Sequence, residues 1–120
     1  MWQNCRFFCN FALTKKKTKM LIYNTTYQVT VDQARTFCVW LHEQYIPRAQ
    51  ESDEVRNPRM CHILSHRDAD SECFSLQFEV ESSARLHHWF KHVGSALNEE
   101  MLRIFGDAVT GFPTMMEVIE

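Results

Sequence analysis

Six histidines and five cysteines are the residues of this 120-residue chain best suited to chemistry, and their spacing limits what they can do. His88 and His92 stand four apart, the spacing that puts two imidazoles on one face of a helix where both could reach a zinc ion, with His87 beside them. No glutamate follows His88 as the HExxH metalloprotease pattern requires, and a closed zinc site needs a third and fourth ligand that this stretch does not supply. The expectation is therefore no structural metal. His62 is of the residue type that serves as a general base near neutral pH, but a histidine on a strand is more often a satisfied structural residue. His42 and Glu43 are adjacent, and neighbours on a helix do not face each other, so they read as a solvated face and not an acid/base pair. Cys61 and Cys73 fall on neighbouring strands. An odd total of five cysteines with no regular framework indicates free thiols in a reducing compartment, with the cytoplasm as the default, and there these two act as small hydrophobes.

The elements that must position these groups are legible from Met20 onward. Leu21, Tyr23, Tyr27 and Val29 alternate with Asn24, Thr26 and Gln28, which predicts a half-buried strand. Thr30-Val31-Asp32-Gln33 has the spacing of a capping box and predicts a helix striped by Ala34, Phe37, Cys38, Leu41 and Tyr45 that ends at Pro47. A solvated loop carrying Glu51, Asp53 and Glu54 leads to a second strand near Arg59–Ser65. A turn across residues 66–71 then joins it as a hairpin to a strand that alternates Phe74, Leu76, Phe78 and Val80. Ser82 or Ser83 caps a long helix with Leu86, Trp89, Phe90, Val93, Leu97, Met101 and Phe105 on one side, stopped by Gly106-Asp107. A last strand runs from about Val109 to Ile119 with Phe112, Met116 and Val118 on one face. Pro113 favours an edge position for it.

That order, βαββαβ, predicts an α+β, ferredoxin-like domain: a four-stranded antiparallel sheet with both helices on one face. The other face would carry Asn24, Thr26, Gln28, Cys73, Ser75, Gln77 and Glu117, with Ile22 and Met115 as its apolar elements. A small chain gains from burying such a face, so a homodimer is expected through Ile22, Asn24, Thr26, Ser75, Gln77 and Met115.

Charge divides the chain at the same residue. Positions 1–19 hold Arg6, Lys15, Lys16, Lys17 and Lys19 and no acid, leaving eight basic against fifteen acidic side chains, a formal charge of −7, from Met20 to the end. An acidic body repels phosphate backbones, and nucleic acid is not expected as a partner. The aromatic pattern agrees, because Tyr23, Phe74 and Phe78 share the parity of the buried face and no basic run accompanies the third strand. Arg6 and Asn10 interrupt the apolar stretch Trp2–Leu13 and the lysines follow it, the wrong order for a secretory signal, and the stretch is too short to span a bilayer. Three readings of residues 1–19 stay open: a stretch upstream of a true start at Met20, a disordered basic tail, or a weak membrane-surface anchor. Residues 20–120 form the single domain. Cys5 and Cys9 take no role.

Met20-Leu21-Ile22-Tyr23-Asn24-Thr25-Thr26-Tyr27, then Tyr45-Ile46-Pro47, Ser75-Leu76-Gln77-Phe78, Phe105-Gly106, and Gly111-Phe112-Pro113-Thr114 followed by Glu117 resemble, in order, the bacterial family called domain of unknown function four-two-eight-six. The resemblance covers Met20 to Glu120 and supports a start at Met20. It implies a plan similar to the dimeric α/β barrel proteins, whose ferredoxin-like monomers pair sheet to sheet and which include cofactor-free oxygenases, haem-degrading enzymes and proteins without known activity. Pro113 stands where the family often has arginine, so no role attached to that arginine transfers. The resemblance brings no catalytic residues, and fold kinship to enzymes is analogy alone.

Glycine-rich phosphate loops, CxxC pairs and iron–sulfur cysteine series are absent from the sequence, and no cofactor is expected. Two function classes remain. The favoured one is a non-catalytic homodimeric module, with no membrane partner. The alternative is a small-molecule binding protein or cofactor-free enzyme with a pocket between sheet and helices lined by Tyr23, Tyr27, Trp40 and His62. A filled core there would favour the module.

Overall fold

The computed structural model describes residues 20–119, and the reading of residues 1–19 as an extension lies outside them. Strand β1 (Leu21–Thr30) leads into helix α1 (residues 34–49), followed by β2 (Val55–His62), β3 (Ser71–Val80), helix α2 (residues 83–105) and β4 (Val109–Glu117). The strands form one antiparallel sheet in the order β2-β3-β1-β4. This is the α+β, ferredoxin-like arrangement that the periodicity predicts, with β2 and β3 joined as a hairpin.

One face of the sheet is sealed by the helices. Tyr27 and Val29 of β1, Phe74, Leu76, Phe78 and Val80 of β3, and Val109 of β4 are buried against Phe37, Trp40, Leu41 and Tyr45 of α1 and Leu86, Trp89, Leu97, Met101 and Phe105 of α2. Aromatic rings interlock through it. Phe37 meets Tyr27 edge-on with centroids 5.0 Å apart and Phe105 at 5.2 Å, while Trp40 packs on both Tyr45 and Phe105 at 5.8 Å. Such pairs contribute roughly 0.5–1.5 kcal/mol each beyond their buried area.

Both helices contain a π-helical turn, and neither is visible in the hydrophobic period. In α1 the turn spans Leu41–Tyr45, and the Ile46 N–H bonds the Leu41 carbonyl five residues back. This shift in hydrogen-bond register immediately precedes Pro47, whose missing N–H would otherwise break an α-helix. The expected stop at Pro47 is therefore not observed. The helix continues through Ile46–Ala49 and tightens into a 3₁₀ turn at Gln50–Ser52, so much of the expected loop is helical. In α2 the turn spans Phe90–Gly94. The extra residue rotates Phe90 out of the expected stripe, leaving it 40% exposed, and places Gly94 under the Trp89 ring, where a Cβ would lie 2.6 Å from Trp89 Cζ3.

The capping box does not form. Thr30 stays in β1 opposite Ser71, and backbone bonds from Gln33 N–H to the Thr30 carbonyl (3.0 Å) and from Val31 N–H to the Asp70 carbonyl (3.0 Å) make the turn into α1. Ser82 does cap α2, its hydroxyl accepting from Arg85 N–H at 3.1 Å. The second strand starts earlier than expected, at Val55, and bulges between Arg56 and Arg59, where Asn57 takes a left-handed conformation (φ 53°) and donates to Glu79 Oε1 at 2.8 Å. Glu54, expected in a solvated loop, is buried at 7% exposure.

The largest departure concerns β4. Met115 lies opposite Tyr23, Gly111 opposite Tyr27 and Glu117 opposite Leu21, which puts Met115 and Glu117 on the helix side and Phe112 and Met116 on the open side. This inverts the expected faces. The reason is steric: the Tyr27 ring extends over β4, where a Cβ at residue 111 would sit 3.2 Å from Tyr27 Cδ1, so glycine occupies the inner position and the alternation follows from it.

Candidate functional site

Among the described residues, the sheet face that the helices leave open is a broad surface able to meet a partner. Along β1 and β3 it presents Ile22, Asn24, Thr26, Gln28, Cys73, Ser75 and Gln77, with Asn24 opposite Gln77 and Thr26 opposite Ser75. Of the six residues expected there, Ile22, Asn24, Thr26, Ser75 and Gln77 share this face. Met115 does not, because its register turns it toward the helices. Met116 takes the expected place opposite Ile22, and Phe112 lies opposite Thr26. Exposures of 58% for Phe112 and 39% for Met116 and Val118 make an apolar stripe along the β4 side of the face.

The polar middle of this face is already hydrogen-bonded within the chain. Ser75 Oγ donates to Asn24 Oδ1 at 2.6 Å, and Asn24 Nδ2 donates to Thr26 Oγ1 at 3.2 Å. Near the hairpin end Gln28 Nε2 donates to Ser71 Oγ at 3.0 Å. Covering these groups therefore strands fewer donors and acceptors than their polarity suggests.

The pocket residues are distributed differently. Tyr27 and Trp40 are core side chains, 3% and 9% exposed, and both pack on Phe37. The Tyr27 hydroxyl is hydrogen-bonded to Tyr45 and Thr25, and burial raises both phenols far above the ordinary tyrosine range. Tyr23 sits edge-on to Trp89 at 6.1 Å. His62 is at the β2 edge, stacked on Phe74 at 5.0 Å, with Nε2 3.2 Å from Glu72 Oε1. The four do not line one cavity: aromatic packing fills the space between Tyr27 and Trp40, and His62 is two strands away from β1. An open, shallow groove of about 440 Å³ lies elsewhere, among Thr30, Asp32, Gln33, Ile104, Phe105, Asp107 and Ala108.

Two hydrogen-bonded clusters were not visible in the sequence. Ser71 Oγ donates to Asp68 Oδ2 at 2.9 Å and lies 2.9 Å from His66 Nε2. The residue types match a hydrolytic triad, but the wiring does not. A hydroxyl has one proton, the Asp68 carboxylate takes it, and His66 must then donate to Ser71 and cannot act as its base. The Asp68 carboxyl is held below the usual carboxylate range by the Asp70 N–H and then by the Ser71 hydroxyl. This cluster fastens the hairpin end. The second joins Glu54 Oε2 to His88 Nδ1 at 2.6 Å, with the His92 ring 4.2 Å from that of His88 and tilted to it by 30°. Cys38, Cys61 and Cys73 are free thiols. No helix among the described residues is long and apolar enough to cross a membrane.

With the sheet order and the β1 and β4 registers established, comparison with known proteins becomes informative. The family described as Domain of unknown function (DUF4286) matches residues 20–119. The chain belongs to this family. None of the curated proteins compared with it matches. Among solved structures, this DUF4286 chain is similar to a dimeric ferredoxin-like protein from an uncultured marine organism, with a TM-score of 0.57 and 11% identity over 85% of this chain and 97% of that one. It is also similar to a dimeric ferredoxin-like protein of unknown function from Thermobifida fusca, with a TM-score of 0.58 and 12% identity over 85% of this chain and 93% of that one. At these identities the likeness is one of fold. The DUF4286 match begins at Met20, where the charge asymmetry of the chain also changes.

Proposed function

We propose that this DUF4286 domain is a non-catalytic module that pairs with a second copy of itself through the open sheet face. The observation that carries the proposal is the composition of that face. It joins the exposed Phe112, Met116 and Val118 stripe beside Ile22 to a polar centre whose Asn24, Thr26 and Ser75 groups already bond one another. A face of this kind loses little on desolvation and gains from apolar burial, the balance that a stable two-fold interface needs. Both structural neighbours are described as dimeric, which supports this reading. The filled aromatic core at Tyr27 and Trp40 weighs against a ligand pocket between sheet and helices. Free thiols at Cys38, Cys61 and Cys73 suit a reducing compartment, and we place the module in the cytoplasm.

Pro113 bears on the geometry. An edge-to-edge dimer would extend the sheet through β4, but Pro113 has no N–H to offer a new strand there. Stacking face to face avoids this defect. Multi-angle light scattering of the full chain at tens of micromolar should give twice the chain mass. Gln77→Arg sets two charges close together near the two-fold axis and should shift the chain toward monomer, while its open-face position keeps the monomer core intact. A wild-type monomer at that concentration ends the proposal.

A further inference from the structure

We infer that His88 and His92 form an open, exchangeable binding site for a divalent transition-metal ion on the surface of α2, with Glu54 as its outer-sphere carboxylate. The inference rests on which ring nitrogens are free. His92 Nδ1 lies 2.9 Å from the His88 carbonyl oxygen. A carbonyl can only accept, so Nδ1 carries the proton, and in the neutral ring Nε2 is left with its lone pair. His88 Nδ1 lies 2.6 Å from Glu54 Oε2, and a carboxylate imposes the same tautomer. Neither Nε2 has a hydrogen-bond partner among the described residues.

A carboxylate on one imidazole and a backbone carbonyl on the other are the outer partners that metal-ligating histidines use, because they fix the ring and raise the basicity of the opposite nitrogen. The two rings stand 4.2 Å apart, inclined by 30°, and His88 is 60% exposed. Bonds of ~2.1 Å from one tetrahedral ion require nitrogens ~3.4 Å apart, so binding requires the two exposed rings to turn until their Nε2 lone pairs converge. Glu54 is anchored independently of the metal. It is buried at the start of β2, with Arg85 Nη1 3.9 Å from the same oxygen that bonds His88. Two imidazoles and water select zinc, copper(II) or nickel(II) over magnesium or calcium, which prefer oxygen ligands.

Two protein ligands do not make a closed site, so the fold does not depend on the metal. The site also lies on a helix, away from the open sheet face, so it stands or falls separately from the dimer. His87 is the internal control. It is adjacent in sequence but turned by about 100° around the helix.

The test titrates zinc chloride into the full, tag-free chain by calorimetry. One zinc ion per chain is expected, with binding weakened at least tenfold in His88→Gln and in His92→Gln and changed less than twofold in His87→Gln. Glu54→Gln, which keeps an acceptor but removes the charge, should weaken binding about tenfold. Long-range ¹H–¹⁵N spectra of the metal-free chain above the histidine titration range should show Nδ1–H tautomers at residues 88 and 92, a readout independent of metal affinity and of any folding defect in a variant. No zinc heat in the wild type, equal losses in His87→Gln and His88→Gln, or an Nε2–H tautomer at either ring overturns the inference.

Discussion

Replacing Phe112 by alanine tests both the dimer and the register that places this side chain on the interface. Phe112 is 58% exposed in the monomer. A phenylalanine offers ~200 Å² of surface, so roughly 115 Å² of it is available to a partner, worth about 3 kcal/mol at ~25 cal/mol per Å². Alanine retains the backbone and Cβ, so about 2 kcal/mol is lost per copy and about 4 kcal/mol per two-fold dimer, a rise in Kd of ~10³. Met115→Ala is the matched control. Its side chain lies on the helix side opposite Tyr23, so it should leave Kd within a few-fold and cost only the stability of the monomer. Sedimentation equilibrium from 0.1 to 100 μM, with circular dichroism to confirm the fold of each variant, separates the two outcomes. A Kd unchanged by Phe112→Ala, or weakened as much by Met115→Ala, would refute the reasoning that a partner covers the Phe112 and Met116 stripe.

Gly94→Ala should lower the urea midpoint by the equivalent of about 1–3 kcal/mol, because the new Cβ falls 2.6 Å from Trp89 Cζ3 and 2.9 Å from Phe90 Cδ1 and outweighs the ~1 kcal/mol that alanine gains in helix propensity. A stabilised variant would mean that the π turn does not pack as described. The buried phenols of Tyr27 and Tyr45 have raised pKa values in the folded chain, so the unfolded chain ionises first as pH rises past ~10, and stability present below that pH is lost above it. Tyr27→Phe should cost about 1 kcal/mol at pH 8, from the lost hydroxyl bonds, but reduce the fall in urea midpoint between pH 8 and 11. An alkaline fall equal to that of the wild type would count against this account.

Most of the fold was legible because one face of β1 and β3 is apolar and the other polar: Phe74, Leu76, Phe78 and Val80 alternate with Cys73, Ser75, Gln77 and Glu79, and only one register buries them. The same rule failed on β4 for a physical reason. When both faces carry large apolar residues the alternation has no sign, and nothing on the strand itself decides the expectation that turns Phe112 and Met116 inward. What decides the matter is Gly111, since only a residue without Cβ fits easily under Tyr27, and that contact is long-range. Pro47 misled in a similar way. A proline signals the end of an α-helix, but here the preceding π turn places it after a hydrogen bond already shifted by one residue. Glu54 looked solvated by its neighbours Glu51 and Asp53, and nothing in the spacing announces His88, thirty-four residues away, as its partner.

The candidate site was legible in its polar half and not in its apolar half, and that division bears on how it would act. Asn24, Thr26, Ser75 and Gln77 fall where the alternation puts them, yet three of these four bond one another within the chain and have less to offer a partner. The residues that can drive association, Phe112, Met116 and Val118, are those that the sequence expectation put on the wrong face. Apolar contacts supply free energy without direction, whereas the side chains at the centre of the face, fixed by their own hydrogen bonds, supply a shape that only a matching copy can cover. Affinity should therefore reside in β4 and register in β1 and β3, which is why Phe112→Ala tests how tightly two copies hold and Gln77→Arg tests whether they can be superposed at all.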